Sequence, residues 1–140
     1  MSEHKFHLRS RATYGQPDNK IDHLQVEIET DGQWQPFVLN EFTPGFEIYV
    51  YAMFTCQHTY FRLNAAENGL ALDTAHGVIE MGADEDWRLD YLRVDFHASL
   101  SAGIPTQKIS DYIVERMQQC PVSKNTRGIE DVKVTVRFDG

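Results

Sequence analysis

Cysteine, proline and glycine are scarce in this sequence. Its 140 residues include two cysteines, five prolines and nine glycines. Two cysteines are too few for the disulfide framework of a small secreted protein. The low proline and glycine content excludes collagen-like and low-complexity chains, and the hydrophobic share of 41% is close to the globular average. The sequence therefore predicts a single folded domain over residues 1–140.

Positive charge and long apolar runs are also lacking. Lysine and arginine together number 13 against 21 acidic residues, so the formal net charge is −8. Because binding to phosphates needs a basic surface, this charge argues against a nucleic-acid partner. No stretch has the roughly 18 apolar residues of a membrane span, and the charged start of the chain lacks the apolar segment of a secretory signal. We expect a cytoplasmic protein with no membrane partner.

Groupings of metal ligands are absent from the sequence as well. The six histidines are spread along the chain without a His-x-x-x-His or Cys-x-x-Cys motif. The acidic residues Asp84, Glu85 and Asp86 are explained by a solvated hairpin tip. We therefore expect neither a metal nor another cofactor.

Alternating apolar and polar residues predict a three-stranded antiparallel meander at the start of the chain. The period-two pattern runs from Phe6 to Tyr14 and again from Leu24 to Glu29. Turn-forming residues at Gly15–Asn19 separate these two strands. Asp31-Gly32 is a hairpin signal before a third strand at Trp34–Leu39.

The segment from Gly45 to Asn68 predicts one long central helix. Its first half is rich in residues that favour strands. However, more than 20 residues pass without a breaker, whereas strands seldom exceed about 10 residues. Because the first half is apolar all round, we expect it to be buried.

The second half of the chain predicts a hairpin, a helix and a final strand. Leu70–Met81 and Arg88–Ser99 flank the acidic turn, and their alternation indicates the hairpin. Apolar residues at helical spacing follow Pro105 as far as about Gln119. The clear alternation from Val132 to Asp139 predicts the last strand. The order βββαββαβ is that of an α+β domain.

Each of the two cysteines allows two interpretations. Cys56, in the apolar half of the central helix, is either a small buried hydrophobic residue or a reactive thiol. Cys120 begins the tetrapeptide Cys120-Pro121-Val122-Ser123, where the proline can open a helical turn whose N–H groups favour a thiolate. A neutral junction at the end of a helix explains the tetrapeptide equally well. In a reducing compartment the pair is either two inert thiols or a redox couple.

The combination of both cysteine motifs resembles a known family. Pro44-Gly45-Phe46-Glu47 leads a hydrophobic helix into Cys56, and Cys120-Pro121-Val122-Ser123 ends a second helix 64 residues later. This pattern resembles the OsmC/Ohr family of osmotically induced and organic-hydroperoxide-resistance proteins. The order of elements is similar over essentially the whole chain. The resemblance implies an OsmC-like fold and an intertwined homodimer with its sites at the subunit interface.

The resemblance also implies an activity. In a thiol peroxidase of this family, Cys56 would attack a small-molecule hydroperoxide and become a sulfenic acid, and Cys120 would resolve it as a disulfide. A dithiol reductant would then restore both thiols. The alternative is a non-catalytic dimer of the same fold that binds a small hydrophobic ligand at its interface.

The acidic residue of the family's active site is displaced in this sequence. Active relatives have a Glu ten residues before the first cysteine, where this chain has Phe46. Glu47, nine residues before Cys56, is the candidate for that role. One residue of displacement rotates a helical side chain by about 100°, so Glu47 would point elsewhere on the same helix.

The arginine of the family's active site has no match in the loop after the first strand, where this chain has Gln16. Arg11, on the preceding strand, is the candidate for the role, with Arg9 as the other option. Without a guanidinium beside it, the pKa of Cys56 in an apolar helix is expected to rise, which leaves less thiolate.

Other polar side chains near Cys56 are assigned to packing. His58 follows Cys56 by two residues, a spacing that places the two side chains on different sides of a helix. A Cys–His nucleophile pair within one chain is therefore not expected. Tyr49, Tyr51 and Tyr60 are interpreted as core or interface residues in preference to a ligand pocket.

Overall fold

One mixed sheet and two α-helices make up the part of the chain that the structure describes. This computed structural model covers residues 3–126 and 128–139. The strands are His4–Gly15 (β1), Lys20–Thr30 (β2), Gln33–Pro36 (β3), Ala71–Ala83 (β4), Leu89–Ala102 (β5) and Val132–Phe138 (β6), and the helices are Gly45–Glu67 (α1) and Gln107–Met117 (α2). The sheet order is β3-β2-β1-β4-β5-β6. All neighbouring strands pair antiparallel except β5 and β6, which are parallel.

The predicted element order and the α+β class are confirmed by this arrangement. The β1–β2–β3 meander and the β4–β5 hairpin lie where the alternating patterns indicated. The third strand is shorter than predicted, since it ends at Pro36 and not at Leu39. A local turn explains the difference. The Val38 carbonyl accepts a hydrogen bond from the Thr43 hydroxyl at 2.7 Å, so it pairs within this turn and not with the neighbouring strand.

Helix α1 crosses one face of the sheet. It begins after Pro44 and ends at Asn68-Gly69, where Gly69 takes a left-handed conformation with φ of +75°. The side facing the sheet and α2 is fully buried, with Val50, Met53 and Phe61 at 0% exposure. No helix among the described residues is long and apolar enough to cross a membrane.

The opposite side of α1 lies at the surface of a single chain. Ile48, Ala52, Thr55, Thr59 and Leu63 recur at helical spacing on this side, which we call the outer stripe. Ile48 and Leu63 are 38% and 39% exposed, and Thr55 is exposed as well. The expected burial of the first half of α1 is therefore achieved on one side only within one chain.

Phe96 of β5 sets the contact between α1 and the sheet. Its ring stacks against three rings of α1, with centroid distances of 5.7 Å to Phe54, 5.4 Å to His58 and 4.9 Å to Phe61. Beneath it, Gly77 of β4 pairs with Phe96 across the ladder. A Cβ atom at position 77 would lie 2.6 Å from the Phe96 ring, so only glycine leaves room for this packing.

Helix α2 packs on α1 and leads the chain back to the sheet. Its N-cap is Thr106, whose hydroxyl oxygen accepts a hydrogen bond from the Ile109 N–H at 3.2 Å. Ile113 and Met117 are buried. After Met117 the chain forms a short 3₁₀ turn at Ser123–Thr126 and then enters β6. This connection carries Cys120 to the side of α1.

His58 is buried on the sheet side of α1 next to Tyr14. It is 6% exposed, and its Nε2 atom shares a hydrogen bond of 2.5 Å with the Tyr14 hydroxyl. Burial, with a smaller effect of the nearby Arg62 charge, lowers the pKa of His58 to about 4. The folded protein therefore holds this imidazole neutral well below the pH at which an exposed histidine is protonated.

This depressed pKa predicts a loss of stability in mild acid. Between pH 6.5 and pH 4 the unfolded chain binds a proton that folded His58 excludes, so stability is full above pH 6.5 and falls as the pH drops toward 4. We expect the free energy of unfolding, measured by urea titration, to fall by about 2 kcal/mol between pH 7 and pH 4.5. His58→Phe should lose most of this pH dependence, and an unchanged slope in the variant would contradict the assignment.

Candidate functional site

The fold places the two cysteine side chains next to each other. Cys56 lies in the middle of α1 and is partly exposed, whereas Cys120 lies three residues after α2 and is fully buried. Both are free thiols, and Cys120 is near enough to influence the pKa of Cys56. Residues 64 positions apart in the sequence thus form one dithiol site with an accessible member and an enclosed one.

The environment of Cys56 opposes its ionisation. Burial raises the pKa of Cys56 to about 11, and the hydrogen bond with Cys120 adds to the rise. The backbone N–H groups of Val122 and Ser123 act in the opposite direction and lower the pKa. No charged side chain within residues 3–126 and 128–139 contributes to this balance. The rise expected from the missing guanidinium is therefore present.

Gln57 links the central helix to the segment that carries Cys120. Its side chain is 0% exposed. The Nε2 group donates to the Met117 carbonyl at 2.9 Å, to Cys120 Sγ at 3.6 Å and to the Ser123 hydroxyl. The Oε1 atom is buried and has no hydrogen-bond partner among the described residues.

The reasoning from sequence missed Gln57. The one available signal was a polar amide directly after Cys56 in an otherwise apolar stretch of helix.

The Cys120-Pro121-Val122-Ser123 segment folds back on its own cysteine. The Ser123 N–H donates to Cys120 Sγ at 3.4 Å, and the Ser123 hydroxyl donates to the Met53 sulfur at 3.3 Å. The Lys124 N–H donates to the Cys120 carbonyl at 3.0 Å. The helical turn that Pro121 suggested is present as a single 3₁₀ turn, and its first N–H group points at the sulfur.

Glu47 lies in the first turn of α1, far from the thiols of the same chain. Nine residues of α-helix separate it from Cys56 by roughly 13 Å along the axis. The neighbouring Phe46, at the position of the family's Glu, belongs to an aromatic cluster with centroid distances of 4.9 Å to Phe6 and 5.1 Å to Trp87. This end of α1 is therefore apolar where the family pattern has a carboxylate.

Arg11 and Arg9 lie on the face of the sheet opposite α1. On β1, Leu8 and Ala12 are buried, and the alternation of a strand directs the intervening arginines to the other face. The Arg9 guanidinium donates to Glu27 at 2.7 Å and lies 4.2 Å from the Trp34 ring centre. A single chain brings neither Glu47 nor Arg11 to the thiol, and their roles there stay predictions.

The loop after β1, which carries Gln16, is fixed at the far end of α1. The fully buried Asn19 donates to the carbonyls of Arg62 and Leu70, both at 3.0 Å. Its side-chain oxygen accepts the Leu72 N–H at 2.8 Å. This loop therefore packs more than one helical turn away from Cys56.

The remaining candidates are not at the thiols. His58 is turned toward the sheet, as its spacing from Cys56 indicated. Tyr51 stacks on Phe37 at 4.8 Å and Tyr49 contacts Phe46 at 5.6 Å, so both take part in packing. In the described ranges, no three His, Cys, Asp or Glu side chains form a group that could hold a metal ion.

Comparison with known proteins found one matching family model and several solved structures of similar fold. The family model, described as OsmC-like protein, matches residues 39–137. An OsmC-like protein from Mycoplasma pneumoniae shares 10% identity and a TM-score of 0.54 over 82% of this chain and 87% of its own. An OsmC-like hydroperoxide resistance protein from Jannaschia sp. CCS1 shares 10% identity and a TM-score of 0.53 over 86% and 85%. None of the curated proteins matches the sequence. At these identities the structures show the fold alone.

The raised pKa of Cys56 predicts how alkylation depends on pH. Because the thiolate is the nucleophile, the rate of Cys56 modification by iodoacetamide should rise about tenfold per pH unit from pH 7 to pH 10. Peptide mass spectrometry would follow the site, with glutathione as the reference thiol. A rate that levels off below pH 8 would contradict the environment described.

Proposed function

This chain belongs to the OsmC-like protein family, and on that premise we propose that it is a cysteine-based peroxidase that reduces organic hydroperoxides. The observation that carries the proposal is the placement of a partly exposed free thiol, Cys56, beside an enclosed one, Cys120, whose sulfur accepts a hydrogen bond from the residue next to Cys56. A resolving thiol must lie next to the oxidised sulfur, since disulfide geometry allows Cα separations of only about 4.4–6.8 Å. The name of the Jannaschia relative, a hydroperoxide resistance protein, supports the substrate class.

Exposure assigns the roles of the two cysteines in this proposal. Cys56 meets the hydroperoxide, because Cys120 has no exposed surface. The Cys56 thiolate attacks the terminal oxygen of the hydroperoxide, the O–O bond breaks, and the alkoxide leaves with a proton as the alcohol. Cys56 becomes a sulfenic acid. In the attacking form, the nearby backbone N–H groups of Val122 and Ser123 favour the Cys56 thiolate and lower its pKa.

Cys120 completes the cycle. Its sulfur bonds to the Cys56 sulfur, the S–O bond of the sulfenic acid breaks, and the oxygen leaves as water with the thiol proton. A dithiol reductant then returns both cysteines to thiols by disulfide exchange. The position of Cys120 beside Cys56 favours this step, since a neighbouring thiol acts at a high effective concentration.

We also propose that two chains form the functional unit, with the outer stripe of α1 in the interface. The segment that leads into α1 also carries exposed apolar side chains, among them Leu39 at 56% and Phe42 at 83% exposure. Surfaces of this kind are rarely left open in a monomer. Cys56 lies at the edge of the stripe, so the partner would enclose the approach to the thiol and supply an apolar site for the hydroperoxide.

The proposed dimer predicts the mass of the protein in solution and the effect of a charged substitution in the interface. Size-exclusion chromatography with light scattering should report about twice 16.1 kDa at micromolar concentration. Leu63→Glu places a charge in the proposed interface and should shift the protein toward the monomer. His76→Glu, at an exposed position on the opposite face of the sheet, is the matched control and should stay dimeric. A monomeric wild-type protein would contradict the interface.

A second candidate function rests on the pKa of Cys56. The raised pKa of Cys56 leaves little of this thiol ionised at pH 7. Such a thiol, without a charged partner among the described residues, favours a non-catalytic dimer that binds a small hydrophobic ligand at the same apolar site. Thiol chemistry separates the two candidates.

The peroxidase proposal predicts stoichiometric oxidation of both thiols. Reduced protein treated with one equivalent of cumene hydroperoxide should lose both free thiols and about 2 Da of mass. Cys56→Ser should abolish the reaction, and Cys120→Ser should stop at a sulfenic acid that dimedone traps. If both wild-type thiols survive excess hydroperoxide, the peroxidase is wrong and the binding protein takes its place.

A further inference from the structure

Gln57 joins the residue that carries the reactive thiol to the segment that carries its partner. We propose that Gln57 is a positioning residue for the second chemical step, in which it holds the Cys120 sulfur ready to attack oxidised Cys56. This inference rests on the proposed peroxidase function and names a residue that its disulfide-forming step requires.

The hydrogen bonds of the Gln57 amide define this role. Its two N–H groups serve three acceptors, the Met117 carbonyl, Cys120 Sγ and the Ser123 hydroxyl. The acceptors lie on the last turn of α2 and on the loop that follows. Cys120 itself lies in this loop, between α2 and the 3₁₀ turn at Ser123–Thr126. Gln57 is therefore the side chain of α1 that reaches the Cys120 sulfur, while Met53 of the same helix accepts a hydrogen bond from Ser123.

Cys120 Sγ receives N–H groups from two directions. Gln57 donates at 3.6 Å from α1, and the Ser123 backbone donates at 3.4 Å from the following turn. N–H donors stabilise negative charge on an acceptor atom, and a thiolate is the species that attacks an oxidised sulfur. Gln57 directly follows Cys56 in the sequence. The same turn of α1 therefore carries the electrophilic sulfur of oxidised Cys56 and the amide that holds the nucleophilic Cys120 sulfur.

The step itself balances without an added reactant. The Cys120 sulfur forms a bond to the Cys56 sulfur, the S–O bond of the sulfenic acid breaks, and the Cys120 proton leaves with the oxygen as water. In this step the Cys120 thiol is oxidised and the Cys56 sulfenic acid is reduced, and both sulfurs end in one disulfide. A second hydroperoxide competes for the sulfenic acid and converts it to a sulfinic acid, so slow resolution diverts the protein into overoxidation.

Gln57→Met tests the inference, because methionine has a similar length and lacks the N–H donors. Rapid mixing with cumene hydroperoxide at pH 8, followed by thiol alkylation and intact-mass measurement, resolves sulfenic, disulfide and sulfinic species. We expect the first step to stay within about twofold of wild type, disulfide formation to slow at least about tenfold, and the sulfinic fraction to rise with hydroperoxide concentration. A purely structural role would not change this partition between the two products.

Asn64→Leu is the matched control, since it also removes a buried side-chain amide from α1, but one that lies about two turns from Cys56 and donates to the Tyr60 carbonyl of the same helix. This variant should give the same ratio of disulfide to sulfinic acid as the wild-type protein. If Gln57→Met does not fold, as judged by its thermal transition, Gln57→Leu takes its place.

Two outcomes overturn the inference, and a third overturns its premise. Disulfide formation in the Gln57 variant within threefold of wild type overturns it, and so does an equal slowing in Asn64→Leu. A wild-type protein that keeps both thiols refutes the peroxidase itself and is recognised before any variant is compared.

Discussion

The stacking of Phe96 over Gly77 is the contact on which the site depends. Three rings of α1 pack against this one ring, so the rotation of α1 about its axis is set by the position of Phe96. With His58 turned toward the sheet, the neighbouring Gln57 is turned by about 100°, toward α2. Cys56 then lies between α2 and the outer stripe. A side chain at position 77 would displace Phe96 and, through it, all three residues.

Proximity, and not charge, distinguishes the dithiol of this chain. In the family pattern a carboxylate and a guanidinium stand beside the first cysteine, whereas here Phe46 lies in an aromatic cluster and Arg11 lies on the far face of the sheet. Among the described residues, the groups that shift the pKa of Cys56 are a second thiol and two backbone N–H groups. In the proposed peroxidase, such a site would make the first attack on a hydroperoxide slow and the capture of its product fast, because the thiolate fraction limits the former and proximity favours the latter.

Most of the fold could be predicted because hydrophobic periodicity is a local property of the sequence. The length of the unbroken segment from Gly45 outweighed its strand propensity, and α1 ends within a residue of the predicted stop. The position of Arg11 followed from the same pattern, since it alternates with Leu8 and Ala12 and must face away from them. The partners of Gln57 and the anchoring of Asn19 depend on side-chain contacts between distant elements, and no local pattern contains them.

The Oε1 atom of Gln57, which has no hydrogen-bond partner among the described residues, raises the question of why an amide occupies this buried position. A buried acceptor without a partner costs about 1–3 kcal/mol, and an apolar side chain of the same size would avoid that loss. The hydrogen bonds from Nε2 to its three acceptors offset part of this cost. However, two of the acceptors belong to Cys120 and Ser123, which hydrogen bonds from the Ser123 and Lys124 N–H groups already hold in a turn. Stability alone therefore gives little reason for an amide here. The proposed control of the Cys120 sulfur supplies a reason, because a leucine or methionine at position 57 would leave that sulfur with one N–H donor in place of two.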